Sequence, residues 1–213
     1  MDIISLSWTT NKKDTKLNKA ISDAASPENP NQRPTLVFCS VADEGVYSRN
    51  VYPLRSHPDK TLSVAATDKF GHMTAASLRA GNDDDVIQVP GEAIAASGPS
   101  YMNQDPETDA GVGVNIDAGK KPEDETVSGS SAATALAAGI ASFALLMIRA
   151  YMDPKPAEWH QYHKRENMLK VFQQMDSHLG GIVLGNLFPK EADHRKLKSN
   201  WNQENLLKKV NKE

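Results

Sequence analysis

Cysteine is almost absent from this sequence: Cys39 is the single one in 213 residues. An intrachain disulfide is therefore excluded, as is a zinc site built from four thiolates. An excess of either charge is missing too, with 24 Lys and Arg against 27 Asp and Glu and a net charge of −3. Nothing in that balance attracts the chain to nucleic acid or to an anionic membrane. A secretory leader is not visible, because "MDIISLSWTTNKK" has no basic start and its apolar run is short. No compartment follows from the sequence. Internal repeats are lacking as well, and the length suits one domain with an appended segment.

What is present reads as alternating strands and helices. "DIISLSW" (2–8), "TLVFCSVA" (35–42), "TLSVAAT" (61–67) and "DVIQVPG" (85–91) are short, apolar and bounded by polar or Pro-containing stretches, as strands covered on both faces are. "LNKAISDAAS" between the first two has Leu17, Ile21 and Ala24 or Ala25 at helical spacing, which predicts a β-α-β unit. Met1 opens within the first strand, which suggests the downstream part of a larger domain. From Ala132 to Ile148 the chain carries no charge. Thr134, Gly139, Ser142 and the alanines make this run weakly hydrophobic for a membrane span, so it is expected to be a buried central helix. After Pro154 and Pro156, Trp159, Tyr162, Leu169, Phe172 and Met175 place one apolar stripe along a single helix ending before Gly180 and Gly181. The tail beyond has Leu197, Trp201 and Leu206 as its few anchors. The expected division is a domain over 1–153 and a helical C-terminal extension over 154–213.

Ser131 is the leading candidate for chemistry. A serine in the first turn of a buried helix lies beside unpaired N–H groups and the positive end of the helix dipole, which together would stabilise an oxyanion. The plainer reading is that Ser128, Ser130 or Ser131 caps the helix. His160, His163 and Glu166 are spaced to share a helix face but lack a fourth metal ligand, and "NDDDV" (82–86) lacks the ligand spacing of a calcium loop. Neither is expected to hold a metal. Cys39 sits in a predicted buried strand, where packing is its expected role.

Around Ser131 the stretch "SGSSAATALAAG" (128–139) resembles the nucleophile signature of the subtilisin-like serine proteases, G-T-S-x-A-x-P-x-x-A-G. "VPGEAI" (89–94) is similar to that family's A-P-G-x-x-I, "LSVAATDKFG" (62–71) to V-x-A-T-x-x-x-G, "VFCSVADEG" (37–45) to A-A-G-N-E-G, and "DIISLSW" to D-V-I-N-M-S. The five segments occur in family order. The resemblance implies an α/β fold, subtilisin-like, with a mainly parallel sheet flanked by helices, lacking the N-terminal part of the domain and carrying extra C-terminal helices.

It further implies a serine endopeptidase acting on peptide or protein through an acyl-enzyme, with no cofactor. Ser131 would be the nucleophile, Asp43 would occupy the place of the oxyanion-hole Asn, and Ser7, Trp8 and Thr9 would bind the substrate strand. The family's catalytic Asp and His lie in motifs upstream of the D-V-I-N-M-S strand, so an upstream segment carrying them is an expected partner, and this chain alone is expected to be inactive. His57 and His72 match neither motif. Asp43 replaces a donor by an acceptor, and losing such a donor costs about 3–4 kcal/mol of transition-state stabilisation. Ser130 stands for Thr, Ala135 for Pro and Thr9 for Gly. Asp43, Ala135 and the missing Asp and His favour the alternative of a catalytically inactive subtilase-like peptide-binding or interaction module.

Overall fold

In the computed structural model, residues 1–29, 32–43, 52–74, 77, 85–95, 126–152 and 156–175 are described. β1 (Ile3–Leu6), β2 (Leu36–Ser40), β3 (Thr61–Thr67) and β4 (Val86–Pro90) form one sheet in that order, every neighbouring pair parallel. A two-residue antiparallel pair, β5 (Ile94–Ala95) with β6 (Thr126–Val127), lies beyond it. The four strands are those expected from the sequence: β3 has the expected bounds, and β1, β2 and β4 are shorter by three, three and two residues. The acidic stretch at 82–84 and the tail anchors Leu197, Trp201 and Leu206 lie outside the described residues.

Alternation along β2 explains the layers. Val37 and Cys39 face α1 (Thr15–Ala25), packing with Ile21 and the half-buried Ile4, Leu6 and Leu17. Leu36 and Phe38 point to the other face and its larger cluster. Asp14 starts α1 by accepting from Lys16 N–H and Leu17 N–H at 2.8 and 2.9 Å, satisfying two donors the helix cannot. Cys39 packs as expected: burial pushes its thiol up to about 12, so it carries almost no thiolate at neutral pH.

The opposite face is covered by α2 (Ser130–Met152), which lays Ala133, Ala137, Ala141, Ala144, Leu145 and Ile148 on the sheet. Alanine at the first three contacts lets the helix approach all four strands closely. Leu136, Phe143 and Leu146 on its other side are exposed. Among the described residues this helix alone is long and apolar enough to cross a membrane; here its alanine face is spent on the sheet.

The single C-terminal helix expected from the sequence is instead two: α3 (Pro156–Gln161) and α4 (Arg165–Met175). Bonds from Tyr162 N–H to Trp159, His163 N–H to His160 and Lys164 N–H to Gln161 are all three-residue turns, so the chain tightens and changes direction before Met168 N–H resumes helical bonding. The apolar stripe survives the break because the turn itself buries Tyr162 and His163. α4 then adds Met168, Leu169, Val171, Phe172 and Met175 to the α2 cluster. Phe172 meets Phe38 edge to face at 6.0 Å, worth about 1 kcal/mol beyond its burial.

His163 is held in the α3–α4 turn by its own backbone neighbours. Its Nδ1 lies 3.1 Å from the Trp159 carbonyl, which can only accept, so Nδ1 carries the proton. Nε2 faces the Asp2 carboxylate at 3.4 Å without a hydrogen bond. Burial of the ring outweighs the attraction of Asp2 and holds the imidazole below its usual range. The folded state therefore binds its proton later than the unfolded chain on acidification. Stability should be full above about pH 6.5 and fall as the pH drops through the folded value, by at most about 1.4 kcal/mol per pH unit from this group. Denaturant melts of wild type and His163→Leu between pH 7.5 and 5 check this: the variant should show the shallower acid slope.

Two glycines flank or occupy α2 in opposite circumstances. Gly129 has φ +118°, and a Cβ there would come within 2.8 Å of Asp43 Oδ2. Gly139 has nothing within 4 Å of the corresponding point. Gly129→Ala should lower stability by about 1–3 kcal/mol through backbone strain. Gly139→Ala should raise it by up to about 1 kcal/mol through helix propensity. Paired thermal melts read both signs.

Candidate active site

The carboxyl ends of the parallel strands lie along one edge of the sheet, where open α/β sheets bind their ligands. Three segments meet there. β1 runs into Ser7, β2 runs into Asp43, and β4 runs into Gly91, whose N–H is held by Thr67 O at 3.0 Å. The α2 N-terminus enters among them: Gly129 N–H donates to Gly91 O at 2.7 Å. A side chain on Gly91 would strike Ala66 Cβ at 2.6 Å, Gly129 O at 2.9 Å and Ala133 Cβ at 3.0 Å, so this close junction requires the missing Cβ. Ser128 Oγ accepts Ala93 N–H at 2.9 Å and ties the β4–β5 turn to the same point.

None of the three serines caps the helix through its side chain. The acceptor comes from another segment: both oxygens of Asp43 lie 3.0 Å from Ser130 N–H. A carboxylate at a helix N-terminus meets unpaired N–H groups and the positive end of the dipole, which favours it there. Ser130 is buried and gives its hydroxyl proton to Val41 O, pinning α2 to the end of β2. Ser131, one residue on, is exposed and donates to the backbone carbonyl of Ser7 at 2.7 Å. The two adjacent serines thus differ in kind, one a fastening and one accessible at the helix mouth. Ser131 N–H has no acceptor among the described residues.

The structure brings Ser131, Asp43 and Ser7 together, although sequence separates them by up to 124 positions. Ser7, Trp8 and Thr9 were expected within a strand; β1 ends at Leu6, and the three follow it as irregular backbone, with Trp8 47% exposed. Thr10 then pairs backbone to backbone with Tyr52. Ala135, in place of the resemblance's Pro, is exposed and leaves α2 continuous. Among the described residues no histidine hydrogen-bonds Ser131. His72 instead lies beside Asp68, with Nδ1 3.5 Å from its carboxylate.

One residue at this edge had no signal in the sequence. Ser77, 2% exposed, accepts Ala66 N–H at 3.2 Å and lies 3.3 Å from Asp43 Oδ1. It sits in "MTAASLRAG", where nothing distinguishes one small residue from the next, and only the distance to Asp43 singles it out.

Known proteins bear on this arrangement as follows. Among solved structures, the prenylagaramide maturation protease PagA is similar with a TM-score of 0.51 and 22% identity, over 82% of this chain and 50% of that one. The patellamide maturation protease PatA is similar with a TM-score of 0.55 and 20% identity, over 87% of this chain and 61% of that one. A self-cleaved protease domain of PatA gives 0.57 and 20%, over 87% and 60%. Likeness at these identities concerns the fold, and the chain spans between 50% and 61% of the length of these structures. No curated protein matches the chain. The family model described as the Subtilase family matches residues 1–172, a span that holds every element of the sheet, all of α2 and most of α4. By that match, the chain belongs to the subtilase family of serine proteases.

Proposed function

We propose that this chain supplies the nucleophile and part of the substrate cleft of a subtilisin-like endopeptidase, with Ser131 as the attacking residue. The observation that carries the reading is the position of Ser131: exposed in the first turn of α2 beside the buried Ser130, and with its hydroxyl 2.7 Å from the Ser7 carbonyl. In the reaction, Ser131 Oγ bonds to the scissile carbonyl carbon as a base removes its proton, and the carbonyl oxygen becomes an oxyanion beside Ser131 N–H. Collapse of that adduct breaks the C–N bond, the amine leaves with a proton, and water then hydrolyses the acyl-serine. Ser7 to Thr9 line the path of the substrate backbone. Peptides or proteins are the substrate class. Residues 1–153 form the catalytic part, and 154–213 form an extension whose described helices are α3 and α4, the latter seated on the sheet.

In this reading the base and its orienting acid come from outside the described residues. With its proton directed at Ser7 O, the Ser131 hydroxyl is a weak nucleophile on its own. A second reading, a catalytically inactive module that binds peptides in the same cleft, is favoured by the Asp43 carboxylate standing where a donor serves the reaction. Hydrolysis of a fluorogenic peptide separates the two. This chain alone should be inert, and a form joined to a segment carrying the family's Asp and His should turn over. Ser131→Ala should lower that rate roughly 10³-fold or more. A folded, peptide-binding joined form without turnover would establish the inactive module instead.

A further inference from the structure

We propose that residues 156–164 form an acid-released clamp at the amino edge of the sheet, with buried His163 as its trigger and Asp2 and Arg33 as the residues that set its response. The inference does not depend on the role of Ser131. The His163 side chain is 0% exposed, and its hydrogen bond goes to Trp159 O within the same segment. Nε2 bonds to nothing and faces Oδ1 of Asp2 at 3.4 Å, a lone pair against a carboxylate. Asp2 is meanwhile paired with Arg33, whose own buried Nε has no acceptor. Once His163 is charged, two cations share one carboxylate.

Charging a fully buried imidazole gives up its hydration, which a carboxylate already paired with Arg33 does not replace. Burial, joined by Arg33, outweighs Trp159 O and Asp2 and holds the ring below its usual range. A cavity of about 560 Å³ beside the ring also carries Asp59, Lys60, His160, Lys164, Arg165 and Glu166. Lys60 is turned to Ser22 Oγ at 2.7 Å and Arg165 to Asp85 at 2.8 Å, so the charges that act on the ring are Asp2 and Arg33. The smallest opening that hydrates His163 is movement of its own segment. The turn is held by backbone bonds to its near neighbours, whereas Arg165 ties the start of α4 to Thr61 O and Asp85, and Phe172 stays on Phe38. Lys164–Arg165 is thus a hinge with a segment able to lift on one side and a fastened helix on the other. Lifting also uncovers Tyr162 and Trp159, which keeps the clamp shut while His163 is neutral. Protonation shifts that balance locally and leaves the sheet closed.

Hydrogen exchange read by mass spectrometry on this chain tests the clamp. After correction for the intrinsic pH dependence of exchange, protection of 158–164 should fall by up to about tenfold between pH 6.5 and 5.5, the most that one proton allows. Residues 36–40 and 168–175 should keep theirs. His163→Leu should remove the fall. Asp2 is half exposed, so Asp2→Asn leaves the packing in place and should enlarge the fall, whereas Arg33→Gln, which leaves Asp2 to the ring, should reduce it. In NMR the His163 imidazole should titrate lower than wild type in Asp2→Asn and higher in Arg33→Gln. No fall in wild type, or an equal loss of protection over 36–40, would overturn the local clamp. An undiminished fall in His163→Leu would overturn the trigger, and NMR shifts of the same sign in the two charge variants would overturn the roles of Asp2 and Arg33.

Discussion

The mouth of α2 is the constraint on which the rest of this structure depends. A helix 23 residues long and uncharged through Ile148 has to begin at the sheet's carboxyl edge, and its first N–H groups need acceptors. The local serines do not provide them. Asp43 reaches over from the end of β2, and Gly129 and Gly91 remove the two side chains that would hold the segments apart. The same contacts that start the helix also set out the site. Ser130 is drawn inward to Val41, which leaves the next hydroxyl, on Ser131, outward and against Ser7.

Packing extends that constraint through the domain. Because Ala133, Ala137 and Ala141 are small, α2 lies close along the sheet, and the space beyond its C-terminal half is filled from α4 by Phe172, Met168 and Met175. The α3–α4 turn buries His163 next to Asp2 at the start of β1, so one end of the first strand lies beside the turn that leads into the last described helix. Ser7, at the other end of β1, meets Ser131. Stability and site geometry are thus connected through one strand of four residues.

Much of this was legible in the residues. The β2 pattern, apolar at four successive positions from Leu36 to Cys39, marks a strand covered on both faces, and the uncharged run after Ser131 marks a central helix; both follow from hydrophobicity and length. Ser131 stood out through its neighbours and through the resemblance of five ordered segments. The break at Tyr162–Lys164 was not legible, because a stripe at helical spacing stays apolar whether or not a turn interrupts it. Ser77 was invisible for a different reason. Its importance comes from a 3.3 Å approach to a residue 34 positions away, and no local pattern encodes that. The replacement of a donor by Asp43 could be read from the sequence, but its use as the cap of α2 required the fold.

The most direct measurement of the central claim, that the helix mouth makes Ser131 the reactive serine, is covalent. A fluorophosphonate probe would be reacted with the base-complete protein, and the digested product mapped by mass spectrometry. The account predicts loss of fluoride and one phosphonyl adduct, on Ser131, with Ser130 unmodified because its hydroxyl is buried against Val41. An adduct on Ser130 or on a serine elsewhere, or a folded protein that carries none, would contradict it.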